Sequence, residues 1–187
     1  MQRPEPIDEE IVLDPKRYIV SKTDKKGIIE YGNDYFVEIS GYSEAELIGQ
    51  PHNIIRHPDM PKIVFKMMWE RILNDQNIFA LVKNMAKDGR YYWVVTEFET
   101  KKDPISNHIV GFTAFRRAAP RDAIKEIEKL YAKLVEIEKV GGMEASEKYL
   151  RGYLEEAGKS YDELIDELIG NKGLFKVFFK MMKALFK

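Results

Sequence analysis

Apolar residues in the first two thirds of the chain follow two different periods. In YIVSKTDKKGIIEYGN they form two short runs on either side of Asp24–Gly27, which predicts two strands joined by a turn. NDYFVEISG then places Tyr35, Phe36 and Ile39 at helical spacing and ends at Gly41. Ser43 and Glu46 have capping-box spacing and start a second short helix. PKIVFKMMWERILND carries a stripe of Ile63, Val64, Met67, Met68 and Ile72, with Pro61 near its first turn. The pattern then returns to strands. NIFALVKN and RYYWVVTEFETKK flank MAKDG, whose Asp88-Gly89 is a strong hairpin signal, and HIVGFTAFRR follows the turn residues DPISN. This order predicts an α+β fold: one five-stranded antiparallel sheet with short helices on one face.

Past residue 120 the helical period takes over. RDAIKEIEKLYAKLVEIEK spaces Ile124, Ile127, Tyr131 and Leu134 three and four apart, and Gly141-Gly142 ends the run. MEASEKYLRGYLEEAG and the capping-box helix SYDELIDELIG come next. The last segment, NKGLFKVFFKMMKALFK, has five lysines in one helical stripe, many phenylalanines and no acid. As a helix, residues 174–187 span only about 21 Å, short of a roughly 30 Å hydrocarbon core. The segment suits a helix lying in the interface of an anionic bilayer. Packing on the acidic helices at 144–170 or on the sheet, and docking to a partner, are the alternatives. The expected units are an N-terminal segment (1–16), the α+β domain (17–118), a helical extension (119–171) and a basic amphipathic helix (172–187).

Composition narrows the chemistry. The chain has 187 residues, 33% of them charged, with a formal net charge of -1, so no overall pull toward nucleic acid arises. It contains no cysteine, which removes disulfides, thiolate metal sites, cysteine nucleophiles and cysteinyl-flavin photochemistry, and fits a reducing cytoplasm. The acidic start MQRPEPIDEE does not read as a signal peptide, and no apolar run approaches spanning length. No nucleophile–base–acid arrangement and no phosphate loop appear, so no turnover is expected.

The densest chemistry lies in GQPHNIIRHPDMP, residues 49–61, where the prolines impose irregular backbone. Arg56 offers a guanidinium fork for a pyrophosphate or an adenine edge, or a surface ion pair with Asp59 or a nearby glutamate. His57 reads as a hydrogen-bond partner, a haem ligand or a loop cap. Asp59 is placed to cap the next helix and to fix Arg56, and His52 reads as structural. Asn33 suits an N-cap for DYFVEIS. Alternation puts Tyr91, Trp93 and Val95 on one face of a strand and Tyr92, Val94 and Thr96 on the other, without saying which face is which.

Taken together, NDYFVEISGYSEAELIGQPHNIIRHPDMP, FKMMW, LVKNMAKDG, YYWV and the final GF strand resemble a PAS domain over residues 20–117, most like the flavin-binding PAS of bacterial aerotaxis receptors. Phe79-Ala80 stands where that pattern has Trp followed by Ser or Thr. The resemblance implies a non-covalently bound FAD, with FMN or haem b as alternatives. It implies cofactor contacts from Arg56, His57, Asp59, Asn33, Asn84, Tyr92, Trp93 and Phe79. It further implies the separate sensor half of a two-protein energy-taxis system. Such a protein would work from the cytoplasm, at the inner face of the membrane, on a methyl-accepting membrane transducer in trans, with a PAS homodimer as a further assembly. A haem gas sensor using His57 or His108, and a cofactor-free docking adaptor, are the competing functions.

Overall fold

The computed structural model describes residues 4–170, 177, 179–182 and 184. Five strands form one antiparallel sheet: β1 (Ile19–Asp24), β2 (Ile29–Gly32), β3 (Phe79–Met85), β4 (Tyr91–Lys102) and β5 (Ile109–Ala118), in the order β2-β1-β5-β4-β3. β2 and β3 are therefore the two edges, and the chain between them must cross a face of the sheet. It crosses as α1 (Asp34–Ser40), α2 (Glu44–Leu47), a 3-10 turn at His52–Ile55 and α3 (Lys62–Leu73). This is the α+β arrangement the sequence predicts.

Local chemistry sets these elements. Asn33 caps α1 by accepting from Phe36 N (3.1 Å) and also binds Val20 N (3.0 Å) and Tyr18 O (3.0 Å), tying the helix to β1. Gly41 ends α1 in the left-handed region at φ 71°. Ser43 and Glu46 form the expected capping box. Gly27, at φ +80° in the β1–β2 turn, lies so close to Trp69 that a Cβ there would be 3.0 Å from the indole.

The other face of the sheet is covered too. α4 (Arg121–Glu156) leaves β5 through Ala119-Pro120, bends at Gly142 (φ 70°, ψ -173°) and is followed by α5 (Tyr161–Ile169). Tyr131 stacks on Trp93 (6.3 Å between ring centroids), donates to Leu81 O (3.0 Å) and meets Tyr161 Oη (3.1 Å). Leu130 and Leu134 are buried beside it. This explains why YYWVV is continuously apolar: Tyr92 to Val95 are all buried because both faces of the sheet are packed. The short helices hold one face of the sheet as the sequence predicts, and the helical extension covers the other.

The expectation for residues 172–187 falls mostly outside the described residues. Of those described there, Phe179 and Met182 are buried, with Phe179 edge-on to Phe79 at 5.6 Å, while Val177 and Met181 are exposed. Among the described residues, no helix is long and apolar enough to cross a membrane.

Candidate functional site

Between the inner face of the sheet and α3 lies a cavity of about 340 Å³. Its sheet wall is Ser21 and Thr23 from β1, Phe112, Ala114 and Arg116 from β5, Thr96 and Phe98 from β4, and Val82 and Asn84 from β3. Each set is one residue in two, as the pleat requires. α3 contributes Phe65, Met68, Trp69 and Ile72, and the proline-rich loop contributes His52, Ile55 and Arg56. Among the described residues, three cations line the space (Lys26, Arg56 and Arg116) and no carboxylate does. They grade inward: Lys26 is exposed, Arg56 half-buried, and Arg116 only 4% exposed.

Among the described residues, Arg116 is held without an acid. Nη1 donates to Ser21 Oγ and Nη2 to His52 Nε2, each at 2.9 Å. Arginine has no acceptor, so His52 Nε2 must be the bare nitrogen and the ring proton sits on Nδ1. Burial and then the Arg116 charge hold the His52 pKa well below the usual value, which keeps the ring neutral. Phe36 stacks on its face at 5.8 Å. Burial lowers the Arg116 guanidinium to about 10, so it stays charged at neutral pH. Two further polar atoms of the sheet wall, Asn84 Nδ2 and Thr96 Oγ1, are buried with no hydrogen-bond partner among the described residues.

The proline-rich loop does not gather its charged residues. Arg56 forms an antiparallel backbone bridge with Asn84 on edge strand β3, so its neighbours alternate across that edge like strand residues. Arg56 turns to the cavity, its guanidinium 3.6 Å over the Phe65 ring. His57 and Asp59 lie on the other side, with Lys83 and Tyr91. Lys83 Nζ donates to Asp59 Oδ2 (2.8 Å), the ammonium lies 4.3 Å over the Tyr91 ring, and Tyr91 meets His57 edge-on at 5.9 Å. His57 Nδ1 accepts from Asp59 N at 3.1 Å. Burial first, and then Lys83, lower the His57 pKa to about 4. Contrary to the expectation from its position, Asp59 pairs with Lys83 away from the cavity and does not cap α3.

The remaining expected contacts also separate. Asn84 lines the cavity. Tyr92 shares its face but is fully buried outside the lining, with Oη unpartnered among the described residues. Trp93 and Phe79 point the opposite way, to Tyr131 and Phe179. Asn33 is spent on the α1 cap. The sequence reading missed Arg116, Ser21 and the role of His52. The available signal was phase: Arg116 is in step with Phe112 and Ala114 on β5.

A family model described as the PAS fold matches residues 29–112, the span from β2 to the cavity residue Phe112. Residues 29–112 are a PAS domain. The chain is 39% identical over 118 residues to the aerotaxis receptor of Escherichia coli (strain K12), covering 62% of this chain and 22% of that protein. It is 32% identical over 75 residues to a nitrogen fixation regulatory protein of Klebsiella pneumoniae, covering 40% of this chain and 15% of that one. The chain therefore spans about a fifth or less of the length of these relatives. Among solved structures, a PAS domain from Colwellia psychrerythraea superposes with TM-score 0.50 at 22% identity, covering 54% of this chain and 85% of that one. A light-oxygen-voltage domain studied with a flavin analogue superposes with TM-score 0.52 at 17% identity, covering 60% and 83%.

The PAS cavity is tied to the helical extension through α3. Pro61 opens α3 without a side-chain cap. The missing acceptor comes from α4: Glu138 takes Lys62 N on Oε2 (2.8 Å) and Ile63 N on Oε1 (2.9 Å), and Ser146 Oγ supports Oε1 at 3.0 Å. A carboxylate at a helix N-terminus is also favoured by the helix dipole. Lys66–Glu147 (2.6 Å) and Arg71–Asp162 (2.5 Å) continue the contact along α3. The helix that walls the cavity is the one the extension grips.

Proposed function

We propose that this chain is a non-enzymatic redox sensor that binds FAD in the PAS cavity and reports to a separate membrane chemotaxis transducer. The observation that carries the reading is the cavity itself. It has apolar walls, an unsatisfied amide at Asn84 and three cations with no acid among its described lining residues. These residues fit a flavin. A neutral amide suits a ring edge that both donates and accepts, and Arg56 suits the pyrophosphate. Bound flavin would supply reversible two-electron redox chemistry; the chain's own residues hold the ring, shield it and sense its charge. The 39% identity to an aerotaxis receptor supports the signalling part of the reading. On this reading residues 17–118 are the sensor, 119–171 the output element, and 172–187 a contact with the inner membrane surface or the transducer.

Purified chain should show broad flavin bands in the blue rather than a single intense Soret band, and the released ligand should have the mass of FAD. Arg56→Ala should raise the apparent Kd for FAD about tenfold to hundredfold for each charge-assisted hydrogen bond it removes. An unchanged Kd in fluorescence titration would remove Arg56 as the anchor.

The output would run through the Glu138 cap. Reduction alters the hydrogen bonding of the ring, and α3 is the wall that can respond. Amide hydrogen exchange of α4 should differ between oxidised and reduced protein. Glu138→Ala should abolish that difference while costing about 1–2 kcal/mol of stability, as for a lost N-cap. If the variant kept the redox difference, the signal would leave by another path.

A further inference from the structure

We propose that Arg116, fixed by His52 and Ser21 on the sheet wall of the cavity, is the counter-charge for the reduced ligand. It would hold the single negative charge left on the ring after two electrons and one proton have entered. This inference rests on the flavin reading above and adds to it the charge state the site selects.

The argument starts from cost. A buried guanidinium without a carboxylate is destabilising, and chains keep such a charge where a ligand completes it. Arg116 has five N–H donors, and its two hydrogen bonds go to neutral acceptors, Ser21 Oγ and His52 Nε2. Among the described residues, every titratable or charged group facing it is neutral or cationic. His52 lies on one side, Tyr92 is kept protonated by burial on β4, and Arg56 stands across the loop. Thr96 and Ser21 supply hydroxyls, and no acid lines the cavity among the described residues. A ring that took up two electrons and two protons would leave this cation uncompensated. A ring that took up two electrons and one proton neutralises it. The nearby guanidinium therefore lowers the affinity of the reduced ring for its second proton. His52 is a positioning residue: only its neutral form, with Nε2 bare, can accept from Arg116. The two outer cations, Lys26 and Arg56, lie nearer solvent, on the side that suits a phosphate-bearing tail.

The test is the dependence of midpoint potential on pH, measured by dithionite titration of the full chain loaded with FAD. At a pH where free reduced flavin is neutral, the wild type should take up one proton per two electrons, half the uptake and half the slope of free FAD. Arg116→Gln should restore the full slope, and Arg116→Lys should keep it halved. Failure of the wild type to bind FAD would overturn the flavin reading and this inference together. Binding with the full slope in the wild type, or a halved slope persisting in Arg116→Gln, would overturn this inference alone. Should Arg116→Gln not fold, judged by circular dichroism, His52→Phe removes the acceptor that positions Arg116 and should move the slope in the same direction; an unmoved slope there overturns the inference.

Discussion

Replacing Tyr131 by alanine should cost about 4 kcal/mol, the range for deleting a buried aromatic ring. Tyr131 is 2% exposed and stacks on Trp93, and its hydroxyl serves Leu81 O on edge strand β3 and Tyr161 on α5. One side chain thus joins the sheet, α4 and α5. In a chain of this size about 4 kcal/mol lowers the Tm by roughly 8–16 °C. Tyr131→Phe keeps the ring but strands the carbonyl of Leu81, and should cost about 1–2 kcal/mol. Thermal melts followed by circular dichroism will separate the two. A fall of less than about 2 °C in the alanine variant would mean that the extension does not rest on the sheet in solution.

Acid should destabilise the protein well before its carboxylates titrate. His52 and His57 are both held in the neutral form, the first by burial and Arg116, the second by burial and Lys83. Their folded pKa values lie below the unfolded value of about 6.5. The unfolded chain therefore binds more protons as the pH drops. The stability these groups contribute is complete above about pH 6.5 and is lost as the pH falls toward the folded values, about 4 for His57. His57 loses up to about 1.4 kcal/mol per pH unit as the pH falls through this window, and His52 acts in the same direction. The lowered carboxylates, such as Glu46 at about 2 beside Lys87, act only below this window. Urea midpoints should drop steadily from about pH 7 to about pH 5, and His57→Gln should flatten the curve. Equal midpoints at the two ends would show that neither ring is kept neutral by the fold.

What the sequence made legible was mostly what local chemistry determines. Ser43–Glu46 and Ser160–Glu163 act within one helical turn, and both capping boxes form. Asp88-Gly89 joins β3 to β4 as read, and Gly142 breaks the long helix where the glycine pair predicts. Arg56 is marked by the proline-rich motif and Asn84 by the family resemblance, and both line the cavity. The misplaced features depend on distant partners. Period-two alternation along residues 91–96 said that two faces exist. Only the pairing of β4 with β3 and β5, and the backbone bridge from Arg56 to Asn84, decide which one meets the cavity. Asp59 looked like a cap because it precedes a helix, yet the cap is Glu138, 76 residues beyond Lys62. Arg116 sits in an Arg-Arg pair near a strand end, where charge normally reads as solvated; only its phase with Phe112 and Ala114 on β5 marks it as facing the cavity.

The occupied outer face of the sheet has a consequence for assembly. Trp93, Leu81 and Phe79 meet Tyr131 and Phe179 of their own chain, and only Ala119-Pro120 separates β5 from α4. Any second copy or transducer seeking that surface competes with an intramolecular occupant whose effective concentration is about millimolar or higher for so short a tether. A free partner at micromolar levels starts about a thousandfold behind. Recruitment through this face is therefore conditional on the chain first releasing its own helix; on this side of the molecule a partner that does not wait meets the outward side of α4 and α5 instead.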